Sequence, residues 1–233
     1  MPVQHTLKPF EKKLHAVQEK VTGMAEMVNK ELADSLHALQ NRNQDEAVDV
    51  AAEDVLIDAS ERVIDELVIQ TIALHQPMAT DCRLLVAALR IAKDLERIGD
   101  YAANIANHSA TLDQLEPTGE ERRVHEMGQA VQGMMNDVIT AYMKQDEKAA
   151  TVVRGQDEQV DKQYTQIFAN LIAISTRQPD LSAACTHLTF VARSLERIGD
   201  HITDIAEEII FVTTGSMPEQ SRIKADGSAS VKA

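Results

Sequence analysis

The pentapeptide Glu96-Arg97-Ile98-Gly99-Asp100 returns, letter for letter, as Glu196-Arg197-Ile198-Gly199-Asp200 in a chain of 233 residues. An identity of that length, placed once in each half, implies an internal repeat and two halves folded to one plan. The likeness extends outward. Leu84, Ala88, Ile91 and Leu95 have apolar counterparts in Ala184, Leu188, Val191 and Leu195, and Ala102 and Ile105 have theirs in Ile202 and Ile205. In each copy a Glu and an Asp stand four apart, a spacing that puts both on one face of a helix. Any fold for this chain has to present that pair of carboxylates twice.

Apolar periodicity sets the rest of the architecture. Phe10, Leu14, Val17, Val21, Met24 and Val28 alternate spacings of four and three, the seam of a packed helix, which Leu32, Leu36 and Leu39 continue to about Asn41. Residues 1–6 read as a flexible lead. Asp45 is placed to cap a second helix carrying Val50, Ile57, Ile64 and Val68 to about His75, where Pro77 stops it. Thr80 or Asp81 is placed to cap a third helix reaching about Leu112. Glu116-Pro117-Thr118-Gly119 breaks the chain, and the plan repeats. Helices are expected over about Glu120–Lys144 (seam Val124, Met127, Val131, Met134, Val138) and Glu147–Arg177. The turn Gln178-Pro179-Asp180 echoes Gln76-Pro77, and a final helix carries Ala184, Leu188, Val191, Leu195, Ile198, Ile202, Ile205, Ile209 and Val212. Only 9 glycines, 6 prolines and 3% aromatic residues interrupt this pattern. The expected fold is all-α: two tandem three-helix-bundle repeats, residues 1–115 and 116–215, made of six long antiparallel helices. Residues 216–233, in which Ser and Ala are the commonest residues, are expected to form a disordered tail.

Counting along the hairpins brings acids together. With a turn centred near residue 77, Asp54 and Asp58 on the second helix stand level with Asp100 and Glu96 on the third. With a turn near residue 179, Asp157 and Asp161 meet Asp200 and Glu196. Four carboxylates at one level repel unless protonated or bridged by cations, and oxygen-only ligands suit hard ions such as Mg²⁺, Ca²⁺ or Mn²⁺, or carboxylate-bridged iron. Gly99 and Gly199, each costing roughly 1 kcal/mol in a helix, fit a place where a larger side chain would block the site or the packing. The same acids also read as a solvated face paired with Arg97, Arg197, Arg62 and Lys162. The helical wheel turns Glu196 and Asp200 away from the apolar seam, which puts such a site in a surface groove rather than in the core.

The formal charge of −14 and pI near 4.9 disfavour nucleic acid and anionic lipid as partners. The longest apolar run, Leu84 to Leu89, falls far short of the ~20 residues that span a bilayer, and the N-terminus lacks the layout of a signal peptide. A soluble, intracellular protein without membrane insertion is expected, with Cys82 and Cys185 as free thiols. The histidines are scattered, with none in a Glu-x-x-His arrangement, and His201 reads as a surface residue. No phosphate-cradling glycine loop, nucleophile elbow or zinc-ligand spacing is present.

Asp94-Leu95-Glu96-Arg97-Ile98-Gly99-Asp100-Tyr101-Ala102-Ala103-Asn104-Ile105-Ala106 and Ser194-Leu195-Glu196-Arg197-Ile198-Gly199-Asp200-His201-Ile202-Thr203-Asp204-Ile205-Ala206-Glu207 resemble the paired signatures of the PhoU family of bacterial phosphate-transport accessory and regulatory proteins. Gln76 to Arg83 and the D-x-x-x-D of each second helix resemble it too, over about residues 8–214. The resemblance implies a cytoplasmic, dimeric, non-enzymatic negative regulator of phosphate uptake and of the phosphate-starvation response. Such a regulator is an adaptor between a phosphate ABC transporter ATPase and a phosphate-sensing histidine kinase. It further implies metal ions (Mg, Mn, Zn or Fe) on Asp54, Asp58, Glu96, Asp100, Asp157, Asp161, Glu196 and Asp200. Asp204, where the family usually has Asn, adds an acid near the second set. The rival reading is a carboxylate-bridged di-metal bundle with an oxidase or metal-storage role. The missing Glu-x-x-His and the outward-turned acids count against it.

Overall fold

The computed structural model describes residues 4–42, 54–218 and 224–228, together with Ala47 and Val50. Among them are six long helices: α1 (Gln4–Asn41), α2 (Val55–His75), α3 (Ala79–Leu112), α4 (Glu121–Lys144), α5 (Glu147–Arg177) and α6 (Ser182–Thr214), with one 3-10 turn over Pro179–Leu181. α1, at 38 residues, is about 57 Å long at the standard rise. The helices follow from the expected seams. Every seam position named on α6 and α4 is buried, as are Val17, Val21, Met24, Val28, Leu32 and Leu36 of α1.

Local chemistry sets the ends. α1 stops where Arg42 turns left-handed, and the Arg42 guanidinium donates to the Leu112 and Leu115 carbonyls at the end of α3. Asp146 accepts from the Lys148 and Ala149 N–H groups and so caps α5. The Glu121 carboxylate accepts the Thr118 and Gly119 N–H groups at the start of α4. Two expectations need correction. α1 already begins at Gln4, inside the segment expected as a flexible lead. α3 begins at Ala79 after an extended Met78, so neither Thr80 nor Asp81 is its cap. Instead, Thr80 Oγ1 accepts from Arg83. Asp45, the expected cap before α2, lies outside the described residues.

The two halves do not keep separate interiors. One continuous apolar core takes residues from all six helices. Its axis is α3 against α6. Arg90 bonds Glu208, Asp94 bonds His201 and His108 meets His187, so residue numbers rise along α3 as they fall along α6 and the two helices run antiparallel. The repeated pentapeptides therefore pass each other at the centre of the molecule, Ile98 and Ile198 both fully buried there.

Candidate functional site

Each hairpin delivers its acids as the counting predicts. In the first half, Asp54, just before α2, and Asp58 on it meet Glu96 and Asp100 on α3. All four are half-buried. Burial and then the nearby Asp100, Asp58 and Glu96 push the Asp54 carboxyl above its ordinary range. Burial, then Glu96, raises Asp100 against the pull of Arg97 and with a further push from Asp58. Cationic partners come from the same helices: Arg97 lies 3.1 Å from Asp100, Lys93 2.9 Å from Glu96 and Arg62 3.8 Å from Asp58.

The second set is deeper. Asp157, Asp161, Glu196 and Asp200 are 1%, 1%, 3% and 7% exposed, so they do not lie in a surface groove as the helical wheel suggests. The reason is that α6 packs against α3, α4 and α5 together, so faces away from its main seam are also covered. A short segment then closes over the acids. Lys224 Nζ lies 3.1 Å from Asp200 Oδ1, and the Ala225 N–H donates to Asp161 Oδ2 at 2.7 Å. Residues 224–228, part of the expected disordered tail, are thus seated on α5 and α6; residues 219–223 and 229–233 of that stretch lie outside the described residues. Burial raises the Glu196 carboxyl above its ordinary range, opposed by Arg193 and Arg197.

The glycines belong to these sites. A Cβ on Gly199 would stand 2.7 Å from Asp157 Oδ1, and one on Gly99 would stand 3.1 Å from Asp54 Oδ1 and 3.0 Å from Ile57 Cδ1. In both halves a carboxylate from the other arm of the hairpin, Asp54 at the start of α2 or Asp157 on α5, lies directly over a bare Cα. The chemistry of the donor set suits a hard cation in both places. Four carboxylates converge in each, and at the second set an ammonium already occupies part of the space.

Asp204, expected as an extra acid near the second set, stands in a third group that the sequence reading did not assemble. Asp94, His201 and Asp204 offer ligand atoms within 4.8 Å of one another. His201 Nδ1 lies 3.0 Å from Asp94 Oδ1, and its ring stacks on Tyr101, so it is not a surface residue. Partial desolvation by the surrounding chain, then Asp94, pushes Asp204 up to about 6 although the residue is exposed, and its other charged neighbours are His201, Glu207 and Lys224. A groove of about 330 Å³ lined by Arg90, Asp94, Asp204 and Glu208 adjoins this group. Only the α3–α6 register, which no local spacing reveals, could have pointed to it. Cys82 and Cys185 are free thiols, as expected.

A helical tandem repeat with one carboxylate cluster per hairpin defines a class of repeat-built bundles that gather acidic side chains. The chain belongs to the PhoU family: the family model for the PhoU domain matches it twice, over residues 21–108 and 124–209. It is 40% identical over 224 residues to the phosphate-specific transport system accessory protein PhoU homolog of Caulobacter vibrioides, covering 96% of this chain and 97% of that one. The homolog from Xylella fastidiosa is 35% identical over 227 residues, covering 97% and 96%. Among solved structures, PhoU from Pseudomonas aeruginosa superposes with a TM-score of 0.86 at 31% identity, covering 89% of this chain and all of that one. The phosphate transport system regulatory protein PhoU from Streptococcus pneumoniae gives 0.84 at 25% identity, covering 91% and 100%. No helix among the described residues is long and apolar enough to cross a membrane.

Proposed function

We propose that this PhoU-family protein is a cytoplasmic, homodimeric negative regulator of phosphate uptake and of the phosphate-starvation response, an adaptor between a phosphate ABC transporter and its sensor histidine kinase. The observation that carries this reading is the doubled PhoU domain over nearly the whole chain, with the acid pairs of each copy brought to one level. The first cluster would hold a divalent or multinuclear ion (Mg, Mn, Zn or Fe) through Asp54, Asp58, Glu96 and Asp100. The second would use Asp157, Asp161, Glu196 and Asp200. A bound ion supplies the positive charge that relieves the repulsion among these groups. Their own part is to tie α2 to α3 and α5 to α6, with Arg97 and Arg197 neutralising the rim at 3.1 Å from Asp100 and Asp200. The hairpins then become stiffer surfaces for partner docking. Deleting the gene should leave phosphate-starvation genes switched on in phosphate-rich medium, and unchanged expression would contradict the reading.

A non-redox role is part of the proposal. The burial of Glu196 and Asp200 removes one of the two arguments against a carboxylate-bridged oxidase, and the missing Glu-x-x-His remains the other. Loading the protein with ferrous iron in air separates the two readings: the adaptor shows no oxygen uptake above buffer, an oxidase does.

A further inference from the structure

The second carboxylate cluster carries a cation already, and the chain itself supplies it. Lys224 Nζ stands 3.1 and 3.2 Å from the two oxygens of Asp200. The next N–H, of Ala225, donates to Asp161 at 2.7 Å, and the N–H of Gly227 donates to Thr165 Oγ1 at 2.9 Å, one turn further along α5. Between them Asp226 Oδ2 lies 3.6 Å from Arg193 Nη1, the same arginine that faces Glu196, and the Ser228 N–H donates to Asp226 Oδ1 at 2.8 Å. Lys224, Ala225 and Gly227 each donate to the cluster or its flank, and the one acid of the segment meets a cation. The first cluster has its cationic contacts from residues of α2 and α3 instead.

We propose that residues 224–228 are an intrinsic, displaceable counter-cation for the second cluster, so that a metal ion entering the first cluster competes only with side chains of α2 and α3, whereas one entering the second must also expel Lys224 and the Ala225 N–H. The inference rests on the reading of the clusters as cation sites. Arg197 already lies 3.1 Å from Asp200 Oδ2, Lys224 takes Oδ1 and the Ala225 N–H takes Asp161 Oδ2, so a metal that ligates these oxygens has to displace the segment. The Lys224 side chain is 54% exposed, and an ion pair open to water on one side is weak enough to be displaced. The segment competes all the same because its tether to α6 keeps it at high effective concentration. By linkage, the ion that expels the segment is weakened by it to the same degree. The two clusters therefore fill at different ion concentrations, and filling the second frees a segment carrying Lys224 and Asp226.

Tryptic cleavage of the Lys224–Ala225 bond in full-length protein, followed by mass spectrometry, tests this without metal. Asp161→Asn/Asp200→Asn should be cut about fivefold or more faster than wild type, the effect of releasing an interaction near 1 kcal/mol. Lys224→Gln, a surface change harmless to folding, gives a second test: hydrogen exchange at the Ala225 and Gly227 amides should accelerate. Wild-type rates in both variants overturn the proposal. With Mn²⁺ added, cleavage of wild type should accelerate as the second site fills. In a Glu96→Gln/Asp100→Asn background, Lys224→Gln should lower the Mn²⁺ concentration that half-fills the second cluster, read by calorimetry, by about fivefold. Mn²⁺ bound at the second cluster with cleavage unchanged also overturns it. Mn²⁺ binding to neither cluster sinks the cation-site reading instead, while the metal-free arm still decides the seating of the segment.

Discussion

At the scale of single residues, the glycine of each repeated pentapeptide is where sequence and site meet. Glycine weakens a helix interior by about 1 kcal/mol relative to alanine, yet Gly199 sits in the middle of α6 because the Asp157 carboxylate lies over it. Gly199→Ala should therefore move Asp157 and lower Mn²⁺ affinity at the second cluster by roughly tenfold. Thermal stability should change by less than about 1 kcal/mol, since the helix gains what the contact loses. Calorimetry beside thermal unfolding checks this, and an affinity equal to wild type would separate the glycine from the site. All eight acids of the two clusters were legible from hairpin counting, because a tight turn fixes which residues are level. Asp94 and His201 were not, because they meet across the two repeats, where no short connection sets the register. Lys224 was not either, since nothing in a stretch dominated by Ser and Ala marks a lysine as the partner of a buried acid.

At the scale of elements, the seams and lengths of the helices could be read directly, whereas some ends and faces could not. Arg42, Gln76 and Gln145 take left-handed conformations at helix ends without the glycine that normally signals one. The wheel of α6 misplaced Glu196 because it assumes one buried face, and this helix has several neighbours. The pairing of α3 with α6 also makes a pH prediction. His108 and His187 meet Nδ1 to Nδ1 at 2.9 Å, one donating and one accepting, with Phe190 stacked on His108. Burial, then His187, holds His108 below its ordinary value of 6.5. In the window between that lowered value and 6.5, the unfolded chain binds more protons than the fold, so stability falls as pH falls. Urea unfolding from about pH 7.5 to about pH 5.5 should show a steeper loss for wild type than for His108→Asn. Parallel pH profiles would remove His108 from the account.

At the scale of the whole molecule, the repeat predicted two similar halves, and the structure adds that they share one core. Two separable bundles would each need a complete apolar interior. Here the most buried helices, α3 and α6, complete each other. That arrangement places the two carboxylate clusters on separate hairpins of a single body, one half-open and one closed over by residues 224–228. The central claim is that these clusters are cation sites. Its most direct test is calorimetric titration of Mn²⁺ into chelator-stripped protein, wild type against Glu96→Gln/Asp100→Asn/Glu196→Gln/Asp200→Asn, whose carboxamides keep the shapes and remove the charges. The account predicts Mn²⁺ binding in two phases by wild type and its loss in the variant. Equal binding by both proteins, or none by wild type, would contradict it.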